Sequence, residues 1–343
     1  MTAPTFAFAG GEDECHYQQG GGSVTTTTTQ FRVSPVQFAD CALVVPAGGS
    51  ASAFWANSIA YEGTPALFWW TGRLVSAGTF GIGVVNSTLL KFVDALGFVR
   101  LRLRCTITSP LTIIAEKVNT AGTATALTNI LAPWNFVTSG AGISDQLVVF
   151  WDNQASGTLH VYFNNVLVLS FSGDTTTEAT AINGHQLGNV YPSSTMAWSE
   201  IIASPDTDLR SYDLKTLRPV ANGTTHNWDT GTPAPGNVNE TTRNDTTLDG
   251  STTAGQIDGY TIPVMPTGTY SIIAIVINAI MQKGPSGPSK ADLGVLSGGT
   301  DYWSSDFVLT TAWATYSNVW TVDPNTSSNW AALPTNIEAR SVT

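Results

Sequence analysis

Residues 147–174 constrain this chain more than any other stretch. They read Leu-Val-Val-Phe-Trp-Asp-Asn-Gln-Ala-Ser-Gly-Thr-Leu-His-Val-Tyr-Phe-Asn-Asn-Val-Leu-Val-Leu-Ser-Phe-Ser-Gly-Asp: three apolar runs separated by two short polar clusters. β-Branched and aromatic side chains suit a pleated, half-buried surface. Asn164-Asn165 stands between two such runs. Asn reaches positive φ more readily than most residues, so the pair predicts a two-residue type I′ hairpin. The Asp152–Gly157 cluster predicts a longer turn. Together these read as an antiparallel meander from one sheet of a sandwich.

Composition extends the reading along the chain. Charged residues are 11% of 343, against about 25% in ordinary soluble domains. Thr, Ser, Gly and Asn replace them, which is poor helix and good strand material. From Phe54 to Ser204 strand candidates recur near 54–61, 66–72, 79–85, 88–93, 98–107, 112–118, 146–152, 158–163, 166–172, 183–190 and 195–203. Gly, Pro, Asn and Ser separate them, and no segment keeps a helical period over three turns. So many antiparallel strands without helices imply two stacked sheets, hence a jelly-roll-like sandwich.

Before this body, the Gly-rich residues 1–30 are expected to form a flexible arm, with a first strand near Thr25–Val33. After it, Ser204-Pro205-Asp206-Thr207-Asp208 marks a turn-rich break. Leu214–Val220 then reads as a strand, and a Thr/Asn/Gly/Pro stretch runs from Asn222 to Gly255. Firm strands return at Tyr270–Met281, Ala291–Leu296, Phe307–Thr311, Tyr316–Thr321 and Trp330–Ala339. The expected domains are an arm over 1–30, a jelly-roll body over 31–208 and a second, smaller β-sandwich over 209–343.

A net charge of −11 argues against a nucleic-acid partner, which needs clustered Lys and Arg. The one dense basic stretch, Arg100-Leu101-Arg102-Leu103-Arg104, sets all three guanidinium groups on one strand face. It predicts a half-buried strand with a solvated or salt-bridged side. The longest apolar run, Ile272–Ile277, falls short of the roughly 20 residues that cross a bilayer. With no basic, apolar leader pattern at the N-terminus, the expectation is a cytosolic product without membrane insertion. Cys15, Cys41 and Cys105 fit no zinc spacing and are expected as free thiols, Cys15 the most exposed.

Two sets of residues carry a resemblance. Val161-Tyr162-Phe163-Asn164-Asn165-Val166, Ser170-Phe171-Ser172-Gly173-Asp174 and Trp198-Ser199-Glu200-Ile201-Ile202-Ala203 resemble the concanavalin A-like, laminin-G-like jelly roll over residues 30–204. Ser297-Gly298-Gly299-Thr300-Asp301-Tyr302, Leu309-Thr310-Thr311, Val319-Trp320, Asp323-Pro324-Asn325-Thr326 and Trp330 resemble a module that follows such jelly rolls in structural proteins of tailed bacteriophages. Asp206-x-Asp208-x-Arg210 forms the joint. The module usually ends in a Gly-containing strand, where this chain has Glu338-Ala339-Arg340. The resemblance implies a virion component made in a bacterial host cytoplasm, a tail or tail-fibre protein whose partners are copies of itself and other virion proteins. The alternatives are a receptor adhesin of the tail that binds a host surface glycan, or a capsid decoration protein. No cofactor is implied.

Concanavalin-like folds also host glycoside hydrolases, whose paired carboxylates share one strand face about 5–5.5 Å apart in retaining enzymes. This chain has no Glu-x-Asp-x-Glu pattern. Glu12-Asp13-Glu14 are consecutive, and Asp206 and Asp208 lie in a Pro-bearing linker. His16, His160, His185 and His226 lack metal-ligand spacing. Asp152-Asn153, Asp206 and Asp208 read as turn formers in preference to calcium ligands. Neither a nucleophile elbow nor a phosphate loop occurs. A hydrolase is therefore the least expected reading, and the chain reads as a non-enzyme with no catalytic, cofactor or metal residues. Aromatic residues remain. Facing alternates along Phe68-Trp69-Trp70, so one of Trp69 and Trp70 points away from the core. Trp69, Trp70 and Trp303 are the candidate glycan or subunit contacts, with core packing the competing reading for each.

Overall fold

The computed structural model describes residues 6–8, 17–19, 25–27, 42–46, 50–60, 67–77, 88–108, 111–127, 132–133, 145–177, 181–189, 195–205, 207–229, 235–240, 244, 246–265 and 267–343. The chain divides into two compact units, Met1–Lys215 and Thr216–Thr343. Strands of the first are β1 (Phe6–Phe8), β2 (Tyr17–Gln19), β3 (Thr25–Thr27), β4 (Ala42–Val45), β5 (Ser50–Ala60), β6 (Leu67–Ala77), β7 (Thr88–Val93), β8 (Val99–Thr108), β9 (Leu111–Val118), β10 (Ala124–Ala126), β11 (Ala132–Pro133), β12 (Asp145–Asp152), β13 (Gly157–Phe163), β14 (Val166–Gly173), β15 (Ala181–Gly188) and β16 (Thr195–Ser204). Those of the second are β17 (Ala221–His226), β18 (Ile257–Thr261), β19 (Ile275–Met281), β20 (Lys290–Ser297), β21 (Thr300–Trp303), β22 (Phe307–Val308), β23 (Ala314–Trp320) and β24 (Asn336–Val342). The fold is all-β, and the helical content of the described residues is two short 3-10 turns, Leu209–Ser211 and Pro235–Asn237.

The first unit is a jelly-roll-type sandwich of two antiparallel sheets. One runs β14-β13-β12-β6-β16-β4-β3, with β1 also on β16; the other runs β10-β9-β8-β7-β15-β5-β2, with β11 also on β9. Side-chain alternation decides the faces. Along β13 Leu159, Val161 and Phe163 turn inward while Thr158, His160 and Tyr162 turn outward. The inward set joins Phe68, Trp70, Phe92, Leu101, Leu103, Trp151 and Trp198 in one core between the sheets. Phe92 stands edge-on to both Phe68 and Trp70, at 4.8 and 5.9 Å between centroids.

The signature meander forms as the alternation predicts. Asn164 and Asn165 take φ of 50° and 64°, the pair of positive angles a type I′ turn requires. Asn164 also anchors the hairpin to β12: Gln146 N donates to its Oδ1 (2.8 Å), and its Nδ2 donates to Asp145 Oδ1 (2.6 Å). In the longer turn, a Cβ on Gly157 would lie 2.2 Å from both Asp152 O and Thr175 Oγ1, so only glycine fits. The basic strand is salt-bridged. Arg102 and Arg104 share Glu116 on β9, each at 2.6 Å, and Arg100 pairs with Asp94.

Three expectations change. The 1–30 arm contributes strands: β1 pairs with β16, β2 with β5 and β3 with β4. Apolar Phe6-Ala7-Phe8 and β-branched Thr25–Thr27 find backbone donors and acceptors along those strands. The rest of 1–33, the 79–85 candidate, Cys15 and Cys41 lie outside the described residues. The expected boundary at 208/209 falls inside the first unit, because 209–214 packs on that unit's sheet. Leu214–Val220, expected as a strand, is irregular.

The second unit pairs a six-stranded sheet, β17-β18-β24-β20-β21 with β22 on β20, with the two-stranded sheet β19-β23. Leu293, Val295, Ile337 and Ala339 of the larger meet Ile275, Ile277, Met281, Tyr316 and Trp320 of the smaller around Trp330. Trp330 Nε1 donates to Trp320 O at 2.9 Å. Trp330 therefore sits in the core through an isolated bridge to Ile272, and the final strand starts six residues later, at Asn336.

Candidate functional site

The outward face of the β14-containing sheet is a grid fixed by strand register. One row reads Ser204, Trp69, Phe150, His160 and Ser170; the next reads Ile202, Thr71, Val148, Tyr162 and Leu167. Trp69 and Phe150 stack tilted at 4.6 Å, and His160 follows at 5.8 Å from Phe150. Beside them Gln146 Nε2 donates to Thr71 Oγ1 at 3.2 Å. An aromatic row flanked by polar groups is the usual material of a ligand face.

At the Trp69 end the face is covered by the chain itself, while Leu167 and Ser170 at the β14 end stay exposed. Leu209, 2% exposed, packs with Trp69, Val148 and Ile202, and Tyr212 and Leu214 join them. Asp208 caps the 3-10 turn by accepting from Arg210 N (3.0 Å) and holds the Arg210 side chain through Nε (2.9 Å). That fork aims the Arg210 guanidinium over the Tyr162 ring, 4.7 Å from its centroid. Tyr162 Oη in turn lies 3.2 Å from His160 Nδ1. Burial and then the Arg210 charge hold His160 below its ordinary value, while the Arg210 hydrogen bonds hold Asp208 below the carboxylate range. At the other end Arg73 bridges Asp213 (2.6 Å) and Glu200 (3.4 Å). Glu200 takes φ of 50° at the β16 bulge, a conformation that costs a non-glycine residue on the order of 1–3 kcal/mol.

The three candidate tryptophans part company. Trp70 is fully buried between the sheets, so the core claims it and its ring cannot meet a glycan. Trp69 lies on the outer face, as the parity argument requires, but at 9% exposure it is covered by the 207–214 segment. Trp303 remains partly exposed, on β21 of the second unit.

Around Trp303 the second unit's larger sheet carries a polar face. The Arg340 guanidinium stacks on the Trp303 ring at 4.5 Å, and its Nε donates to the buried Asp292 at 3.0 Å. Glu338 lies between two glycines, paired with Gly259 on β18 and Gly294 on β20. A Cβ on Gly294 would meet the Trp303 ring at 2.6 Å. Glu338 is 3% exposed, and its carboxyl group is hydrogen-bonded to the Asn336 amide and the Asp301 carboxyl. Burial, then the Asp301 charge, pushes its carboxyl up to about 7. The opposite face holds a hydrogen-bonded chain. His226 Nδ1 meets Asp258 Oδ1, the Tyr260 hydroxyl meets both Asp258 and Asp249, and Asn237 Nδ2 donates to Asp249 Oδ1 at 2.6 Å. Burial raises both Asp258 and Tyr260. Sequence reading missed these acids because their neighbours are glycines and polar residues on distant strands. The signal available was Glu338-Ala339-Arg340 standing where the resembling module has glycine.

No protein-family model matches the chain, and no curated protein matches it. Among solved structures it is similar to an endo-β-1,4-glucuronan lyase from the fungus Trichoderma reesei, 12% identical with TM-score 0.41, covering 59% of this chain and 96% of that one. It is also similar to the Emp47p carbohydrate recognition domain (10%, TM-score 0.38, 59% and 96%). A third likeness is the botulinum neurotoxin serotype G binding domain (9%, TM-score 0.36, 94% and 89%). The sandwich architecture rests on the strand pairings above, and no residue's role passes from those proteins to this chain.

Proposed function

We propose that this chain is a non-enzymatic structural component of a tailed-bacteriophage virion, a tail or tail-fibre protein acting through contacts with copies of itself and other virion proteins. The observation that carries the reading is the covered Trp69 end of the first unit's outer face. Its aromatic row, where a ligand would otherwise sit, is fastened to the segment 207–214 by Leu209, Arg210, Tyr212 and Asp213. An aromatic patch covered by the protein's own chain suits a rigid building element. The phage-type joint and second module support the same role, and 11% charged residues lower the desolvation cost of extensive protein contacts. Mass spectrometry of particles purified from a lysate of the host tests it. The chain is expected among the virion proteins at a fixed ratio to the major tail component, and its absence overturns the reading.

A second reading, a carbohydrate-binding adhesin of the tail, is favoured by one observation: Trp303 is the candidate aromatic that keeps an exposed edge. A glycan bound on an array by the intact chain and lost in Trp303→Ala would select it. An array with no bound glycan leaves the structural role alone.

A further inference from the structure

One end of the first unit's sheets is built unlike the others. The two sheets end at β14 and β3 and at β10 and β2. β2, β3 and β10 have three residues each, and a short end strand is an ordinary way to blunt an edge. β14 has eight, Val-Leu-Val-Leu-Ser-Phe-Ser-Gly over Val166–Gly173. Among the described residues it pairs with β13 alone. None of the eight is charged and none is proline, the residue types that guard a long edge. The register slips once, beside Val168, and Leu169–Gly173 then run in regular pairing with Gly157–Val161. Alternate residues of a strand with one neighbour direct N–H and C=O away from it, which leaves donors and acceptors for a further strand.

The side chains along this edge match themselves. A second β14 laid antiparallel about a twofold axis through Ser170 sets Ser170 opposite its own copy and Leu169 opposite Phe171. Residues directly opposite share a face. Leu169 and Phe171 belong to the apolar interior between the sheets, so apolar meets apolar on the inner side. Ser170 is exposed on the outer side, where hydroxyl meets hydroxyl. Leu167, 48% exposed, comes opposite Gly173. No two like charges meet along the strand, although each copy carries a net charge of −11.

We propose that β14 is the interface between two copies of this chain, joined edge to edge so that the β14-containing sheet continues from one copy into the other. A second copy is the occupant this edge fits, because the strand is uncharged and self-matching. A twofold contact also uses up the edge in both copies and closes the assembly. Main-chain hydrogen bonds supply the affinity and the facing side chains fix the register. The inference places the self-contacts proposed above and takes its role in the virion from that reading.

Sedimentation equilibrium of the full chain tests it. A dimer is expected with a dissociation constant of about 1–100 µM, as suits a small interface. Ser170→Lys and Ser172→Lys, which set cations against one another at exposed positions, should each weaken the dimer at least tenfold with the melting temperature of the first unit retained. Ser170→Thr should keep the dimer. In the unaltered chain, amides within Leu169–Ser172 should exchange more slowly above the dissociation constant than below it. A chain monomeric at about 200 µM overturns the interface, as does a dimer that both lysine variants leave intact, or amide exchange in β14 that ignores concentration. A dimer formed by a chain absent from virions removes the phage reading alone, and a monomer found in virions removes this interface alone.

Discussion

The two units solve the same packing problem with opposite treatment of charge. In the first, ionised groups stand in pairs around an apolar core: Arg102 and Arg104 on Glu116, Arg100 on Asp94, Arg73 between Glu200 and Asp213. In the second, acids enter the sheet itself. Asp258, Asp292 and Glu338 are all buried. Paired charges around a large hydrophobic core fix a shape. Buried acids without sufficient counter-charge leave a unit that responds to protons. The first unit should therefore be the stable frame and the second the responsive one.

Breaking the frame has the largest expected effect. Trp70→Ala empties a fully buried site between the sheets and should destabilise the first unit by about 3–5 kcal/mol. Calorimetry should show that transition falling while the second unit's stays in place. Next comes the fastening of the linker. Leu209→Ala should cost the first unit about 2–5 kcal/mol and increase protease cleavage within 207–214.

The pH response sharpens the contrast from the other side. The Glu338 carboxyl is raised from 4.5 to about 7. A raised carboxyl contributes stability that is fully present below its unfolded value and lost as pH rises through its folded value. The second unit should lose roughly 3 kcal/mol between about pH 4.5 and pH 7. Asp258, also raised by burial, acts in the same direction. Glu338→Gln should flatten the slope, and the first unit's own transition should be unchanged by that substitution. The smallest effect belongs to the exposed pair Lys117–Asp174, at 2.7 Å. Its hydrogen bond holds Asp174 down to about 2, so any stability it adds is present above the ordinary carboxylate value and lost as pH falls toward 2. Solvent screening keeps Lys117→Ala within about 1 kcal/mol.

Much of the frame was legible in the sequence because strand alternation is local. Asn164-Asn165 announced its hairpin, Arg100-Leu101-Arg102-Leu103-Arg104 its salt-bridged face, and the order Phe68-Trp69-Trp70 separated the inward Trp70 from the outward Trp69. What covers an outward face is not local. Leu209 and Tyr212 sit in a polar, turn-rich segment with no period of their own, and only the register of β6, β12 and β16 beneath them gives them a surface. The second unit was harder for the same reason. β17 comes from a Thr/Asn/Gly stretch without apolar alternation. Glu338 is buried because Gly259 and Gly294, far apart in sequence, flank it on neighbouring strands. An acid in a short polar-apolar repeat looks solvated until its strand partners are known.

The account turns on the attachment of 207–214 to the first sheet, and backbone hydrogen exchange measures it directly. The Tyr212 amide donates to Leu209 O, and the Arg210 amide donates to Asp208 Oδ1. In the full chain both should exchange at least about 100-fold more slowly than the amide of Ala121 in an exposed turn, and Leu209→Asp should erase that protection. Exchange at the rate of the turn in the unaltered protein would mean that the Trp69 end of the outer face stands open, contradicting the account.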